Sequence, residues 1–378
     1  MKGNYRTLII SWLVLLPIFI SFGSGIGLDR VGGYSSLYFL TLPLAIFIIS
    51  FLLVSSIKKL VKEKFLIVFL LYLAVCILGS MFYNELLLVS VLKTTFLMGA
   101  FISSIYAFQY YFDKNIEYID KAENLYILYP FIIILVLVVI SYFLFGRYSF
   151  LSETIKIYNY EQYFAFSLIL MLGVISKIRF IYFMFLSSVI VFIIINSVNT
   201  TALILFYFFI LMYSLFKFTP VRYHKIIYQI STLIFVMVSL LFPFFLYEFY
   251  DIFGTASSSI VKRYDMVNVY FSNINFFQVL FPFLHNSRGF ASDMHNEVLE
   301  IFNATGVGGL FLYYYFIIQR LRVVAIEYKY VATSIVLVIF LGGMMVENTL
   351  HLYMLIILSY VTSFYYVASK YKNKENLI

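Results

Sequence analysis

The chain has 378 residues, 63% of them hydrophobic and 12% charged, with a formal net charge of +8. A water-soluble domain carries about 25% charged residues, so the composition excludes one. A transmembrane β-barrel is excluded as well, because runs such as FIIILVLVVI at 131–140 do not alternate in polarity.

Apolar runs of bilayer-crossing length recur along the chain, with roughly 20 residues needed per helix. They predict an all-α polytopic integral membrane protein of about twelve transmembrane helices, residues 1–378 forming a single transmembrane domain. The spans are expected near 7–23, 36–56, 65–82, 87–110, 125–145, 163–176, 180–195, 201–216, 226–247, 307–319, 331–346 and 352–368. The first begins with a basic start and an apolar core, MKGNYRTLIISWLVLLPIFI, yet no small-residue cleavage site follows, so it is read as a retained helix. The third holds Cys76, the single cysteine, which rules out a disulfide within the chain. The fourth carries Lys93 near one end. An ionisable group inside a span is either functional or a lysine snorkelling to the headgroups, and both readings stay open.

Loop charge sets the orientation. With the N-terminus inside, only Arg30, Lys93, Arg147, Lys156, Lys262, Arg263 and Arg288 of the 26 Lys and Arg fall outside, so both termini are expected to be cytoplasmic. In this reading the positive charge records topology, and no nucleic-acid partner is expected. Residues 248–306 then form one large external (periplasmic) loop, expected to carry short helices and function. Its middle, SSSIVKRYDMVNVYF, mixes basic and aromatic residues at a spacing that suits a helix on the membrane interface.

The end of that loop, DMHNEVLEIFNATGVGG, starts polar and runs into a membrane span. Asp293 or Ser292 is expected to cap a helix over about 294–304 that ends at Gly306. Asp293, Asn296, Glu300 and Asn303 share one face of it, and His295, Leu299 and Phe302 form the neighbouring stripe. Gly306, Gly308 and Gly309 allow a tight break and close packing before the next span. Two readings fit: a solvated amphipathic helix at the interface, or the mouth of an active site.

The set His295-Asn296, Leu299, Thr305-Gly306 and Gly309, placed late in a large external loop, resembles the signature of the bacterial O-antigen polymerase and O-antigen ligase superfamily. The small-residue run before Arg263 is similar to that group as well. Two positions depart from it, Ala304 where a Glu is frequent and Asn199 where an Arg is frequent. The resemblance implies an enzyme of the bacterial inner membrane in polysaccharide or lipopolysaccharide biosynthesis, working on polyprenyl-pyrophosphate-linked oligosaccharide among membrane lipids. A chain-length regulator protein is an expected partner.

Such a reaction needs cations or a metal for the pyrophosphate leaving group and a base for the acceptor hydroxyl. No Asp-x-Asp or His/carboxylate cluster stands at ligand spacing, so no metal and no cofactor are expected. Arg263, Arg288, Lys93 and Arg147 are the candidate pyrophosphate clamp. His295 is the candidate base or hydrogen-bonding group, with Glu300 and Asp293 behind it; Asn296, Gly306 and Gly309 are structural. Rival readings are a ligase that transfers glycan to the lipid A core, and a flippase. A flippase is disfavoured because polar residues concentrate in one loop without related halves.

Overall fold

The computed structural model describes residues 64–83, 85–115, 123–129, 131–132, 135–136, 168–170, 172, 179–196, 200–252, 275–284, 296–344 and 352–375. Among them every regular element is helical. In chain order these are α1 (Lys64–Tyr83), α2 (Glu85–Asn115), a π turn (Asn124–Leu128), α3 (Phe180–Asn196), α4 (Thr200–Phe218) and a 3₁₀ turn (Val221–Tyr223). They are followed by α5 (His224–Ile252), the short α6 (Phe276–Leu280), a 3₁₀ turn (Pro282–Leu284), α7 (Glu297–Glu327), α8 (Lys329–Val336) with its π continuation (Leu337–Gly342), and α9 (Leu352–Glu375).

Four stretches are long and apolar enough to cross a bilayer: Lys64–Tyr83, Ser90–Lys114, Val221–Leu241 and Glu297–Glu327. Phe180–Phe192, Ala202–Phe218 and Lys329–Gly342 are shorter apolar helices. The first two predicted spans, 7–23 and 36–56, lie outside the described residues, and 125–145 and 163–176 are described only in pieces.

α1 shows how such a helix packs. Leu66, Phe69, Leu73, Cys76 and Ser80 are buried at helical spacing, while Ile67, Leu70, Leu71, Leu78 and Phe82 are exposed. An apolar outer face of this kind suits hydrocarbon, where the backbone is satisfied within the helix and side chains need no water.

The centre of the bundle is the pair α2 and α9. Ser363 donates to Ile105 O of α2 at 2.9 Å, and one turn earlier Ser359, which donates to Leu355 O at 2.6 Å, lies 3.4 Å from Phe101 O, so small hydroxyls replace bulk where the two backbones meet. Phe112 of α2 lies edge-on to Tyr360 and Phe364 at 5.1 and 5.3 Å. The segment at 123–129 hangs from the same helix, through Tyr360 Oη to Tyr126 O at 3.3 Å and Tyr365 Oη to the buried Glu123 Oε1 at 2.8 Å.

Lower on α7, Arg320 joins three helices. Its guanidinium donates to Tyr366 Oη at 3.0 Å and to Tyr106 Oη, and stands 5.0 Å from the Phe316 ring. On the other flank Tyr330 of α8 fits among Phe209, Tyr213 and Phe216 of α4. The α4–α5 turn is closed by His224, whose Nε2 lies 3.0 Å from Thr219 O.

Candidate functional site

The polar approach to α7 starts later than its sequence suggests. The expected cap at Asp293 or Ser292 is corrected: Asn296 is the N-cap, with extended backbone, and its Oδ1 accepts from Leu299 N–H at 3.1 Å. The physical reason is that this amide satisfies two partners. Its Nδ2 donates at 2.8 Å to Met344 O, just past the π continuation of α8, so one side chain starts α7 and docks it.

The break expected at Gly306 is present: the helix from Glu297 ends there in a kink, with Gly306 at φ 67° and ψ −174°, and a second helical stretch of α7 runs on to Glu327. Residues 297–305 thus form an outer arm and residues 307–327 a longer inner arm. Positive φ with ψ near 180° is a region that essentially only glycine adopts, and it costs any residue with a Cβ about 1–3 kcal/mol. Here a Cβ would also stand 2.5 Å from Leu280 O and 2.8 Å from Val279 O. Glycine therefore serves both the bend and the close approach of α6.

The shared polar face is present, but it is turned inward. Asn296, Glu300 and Asn303 are buried, Glu300 at 7% exposure, so a solvated interfacial helix is not what the arm forms. Glu297, which the sequence reading assigned no role, is wholly buried at 0%. It packs against Gly343, where a Cβ would lie 3.5 Å from Glu297 Cβ. Both glutamates sit in the first turn, where the positive end of the helix dipole favours carboxylates.

The break itself is occupied by a residue from α1. Tyr72 Oη donates to Thr305 O at 2.7 Å, the carbonyl just before the kink, so a side chain from another helix is inserted at the break. Leu280 O lies 3.1 Å from the same oxygen. The glycines make the slot: a Cβ on Gly308 would meet Tyr72 Oη at 2.5 Å, and one on Gly309 would meet Thr305 Oγ1 at 2.2 Å. Cys76, one turn along α1, places Sγ 3.9 Å from Thr305 O. Phe283, from the 3₁₀ turn after α6, lays its ring on Gly79, where a Cβ would stand 2.6 Å from it.

Of the residues singled out from sequence, Asn296, Glu300, Gly306 and Gly309 come together on one kinked helix. Lys93 is exposed on α2, two residues beyond the buried Val91, which belongs to the small cluster of Cys76 and Ala304. His295, Asp293, Arg288, Arg263 and Arg147 lie outside the described residues. The chain on either side of 285–295 is held, by Phe283 on Gly79 before it and by Asn296 on Met344 after it. Among the described residues no three of His, Cys, Asp and Glu gather as a metal-ligand set.

Tyr72 and Glu297 escaped the sequence reading for different reasons. Tyr72 is one of 35 tyrosines and sits within the expected third span, 65–82, with nothing local to mark it. Glu297 had a signal, an acid directly after the His-Asn pair in the first turn of a capped helix, but its burial is a property of the kink. Compared with protein-family models, with curated proteins and with solved structures, the chain matches none.

Proposed function

We propose that the chain is a multi-pass glycosyltransferase of the bacterial inner membrane. In this reading it has about twelve spans, both termini cytoplasmic, and polymerises oligosaccharide repeat units carried on polyprenyl pyrophosphate at the external face. The observation that carries the reading is the outer arm of α7. It begins directly after His295 with the Asn296 cap, buries Glu297 and Glu300, and bends at Gly306 into a long apolar helix. That concentration of polar groups at one end of one helix is unlike the broken, paired mid-membrane helices of a transporter.

In the reaction the acceptor hydroxyl oxygen attacks the anomeric carbon of the growing chain. The bond from that carbon to the pyrophosphate oxygen breaks, the pyrophosphate leaves with the electron pair, and the hydroxyl proton passes to a base. His295 is the first choice for that base, with Glu300 and Asp293 as the neighbouring carboxyls. Arg263 and Arg288, with Lys93 and Arg147, supply positive charge for the leaving group.

The test is a glycan ladder from cells carrying a deletion of the gene, complemented by the wild type or by His295→Ala. The expected outcome is loss of the ladder to a single repeat on its normal surface acceptor, restored by the wild type and not by the variant. Polymer that stays on the lipid carrier would make the protein a ligase. Single units held on the inner leaflet would make it a flippase.

A further inference from the structure

If α7 presents reacting groups, as the proposed function has it, the angle of its outer arm has to be set by something. Gly306 alone cannot set it, because glycine permits many angles at little cost. Nor does the Thr305 side chain, since its Oγ1 is engaged with Ile301 O at 2.7 Å. What fills the break is the α1 phenol, 2.7 Å from Thr305 O, in a slot that Gly308 and Gly309 leave open for it. The same oxygen is 3.1 Å from Leu280 O, so one hydroxyl ties the break in α7 to the end of α6. A phenol has one proton to give, and the shorter distance assigns it to Thr305.

We propose that Tyr72 is a positioning residue for glycan transfer, its hydroxyl holding the Thr305 carbonyl at the Gly306 break and so fixing the angle at which the outer arm presents Glu300. Tyr72 touches no reacting group; it acts through the arm. The inference rests on the functional reading above, and its test separates the two.

Tyr72→Phe keeps the ring in the slot and removes only the hydroxyl. Gly308→Ala disturbs the same contact from the other side, because its Cβ would meet Tyr72 Oη at 2.5 Å. Each full-length protein is reconstituted in lipid nanodiscs. Initial rates on a lipid-linked repeat unit are measured per folded molecule, together with hydrogen exchange of the peptide spanning 297–309. Both variants are expected to lose about tenfold in kcat while KM for the donor changes by less than about twofold. Exchange at the Gly306–Gly309 amides should rise, with the rest of the chain unchanged.

A tyrosine that served stability alone would lower the yield of folded protein and leave kcat per folded molecule intact, which overturns the proposal. Unchanged exchange in Tyr72→Phe overturns it as well, by showing that the hydroxyl does not hold the break. If the wild type builds no polymer, the positioning role falls with the functional reading, and the exchange rates alone then judge the hinge.

Discussion

Gly306 and Asn296 show how much one side chain, or the lack of one, decides at the head of α7. The Asn296 amide uses its oxygen on the Leu299 N–H and its nitrogen on Met344 O, so it caps the helix and anchors it in one step. Gly306 combines a positive φ with backbone oxygens of α6 where a Cβ would go. Those atoms belong to main chain and cannot rotate away. Gly306→Ala is therefore expected to cost at least about 2 kcal/mol, the positive-φ penalty plus overpacking. Thermal unfolding in detergent checks it; a variant as stable as wild type would mean that α6 does not rest on the kink. The Thr305-Gly306 and Gly309 spacing was legible in the sequence because glycine clusters before a span have few uses. Which oxygens they make room for was not, since Leu280 is remote along the chain.

At the scale of elements, the described helices start and stop close to the apolar runs. α1 covers Lys64–Tyr83 against an expected 65–82, and α3 covers Phe180–Asn196 against 180–195. Helix formation in an apolar medium is a local obligation, so the run by itself sets the boundaries. α5 and α7 extend further. α5 continues to Ile252, and α7 takes in residues 297–305, where the sequence reading expected a short helix of the external loop. The helix was legible from its spacing, but its burial in the bundle was not, because charge content does not reveal that.

Pairing between helices was not legible either. Arg320 reads as a cytoplasmic basic residue, yet it bridges Tyr106 of α2 and Tyr366 of α9. Its planar fork meets two hydroxyls and the faces of their rings, which a lysine cannot do at once. Arg320→Lys is expected to destabilise the bundle by roughly 1–2 kcal/mol, as lost charged hydrogen bonds and ring stacking. An unfolding midpoint equal to wild type would show that the bridge contributes only to orientation.

For the whole molecule, the question is which side faces which compartment. The functional reading needs Arg263, Arg288 and His295 outside and both termini inside. Fusing a fluorescent protein that matures only in the cytoplasm after the last residue should give fluorescent cells. Alkaline phosphatase, active only outside, should be active when inserted at 270 and inactive at the C-terminus. The reverse pattern would remove the basic residues of the loop from the pyrophosphate side and defeat the proposed chemistry.

What the amino-acid sequence determined alone is the helical class with stretches long and apolar enough to cross a bilayer, the boundaries of the apolar helices among the described residues, and the position of a glycine break after a polar turn. All three follow from local terms: side-chain transfer into hydrocarbon, backbone satisfaction within a helix, and the conformational range of glycine. Tertiary structure alone decided that the polar face of the outer arm is buried, that Asn296 reaches Met344, that Glu297 packs on Gly343, and that Tyr72 reaches Thr305 O at the break. Each of these depends on groups from different parts of the chain. Such meetings depend on how whole helices pack, and no pattern within a single segment encodes them.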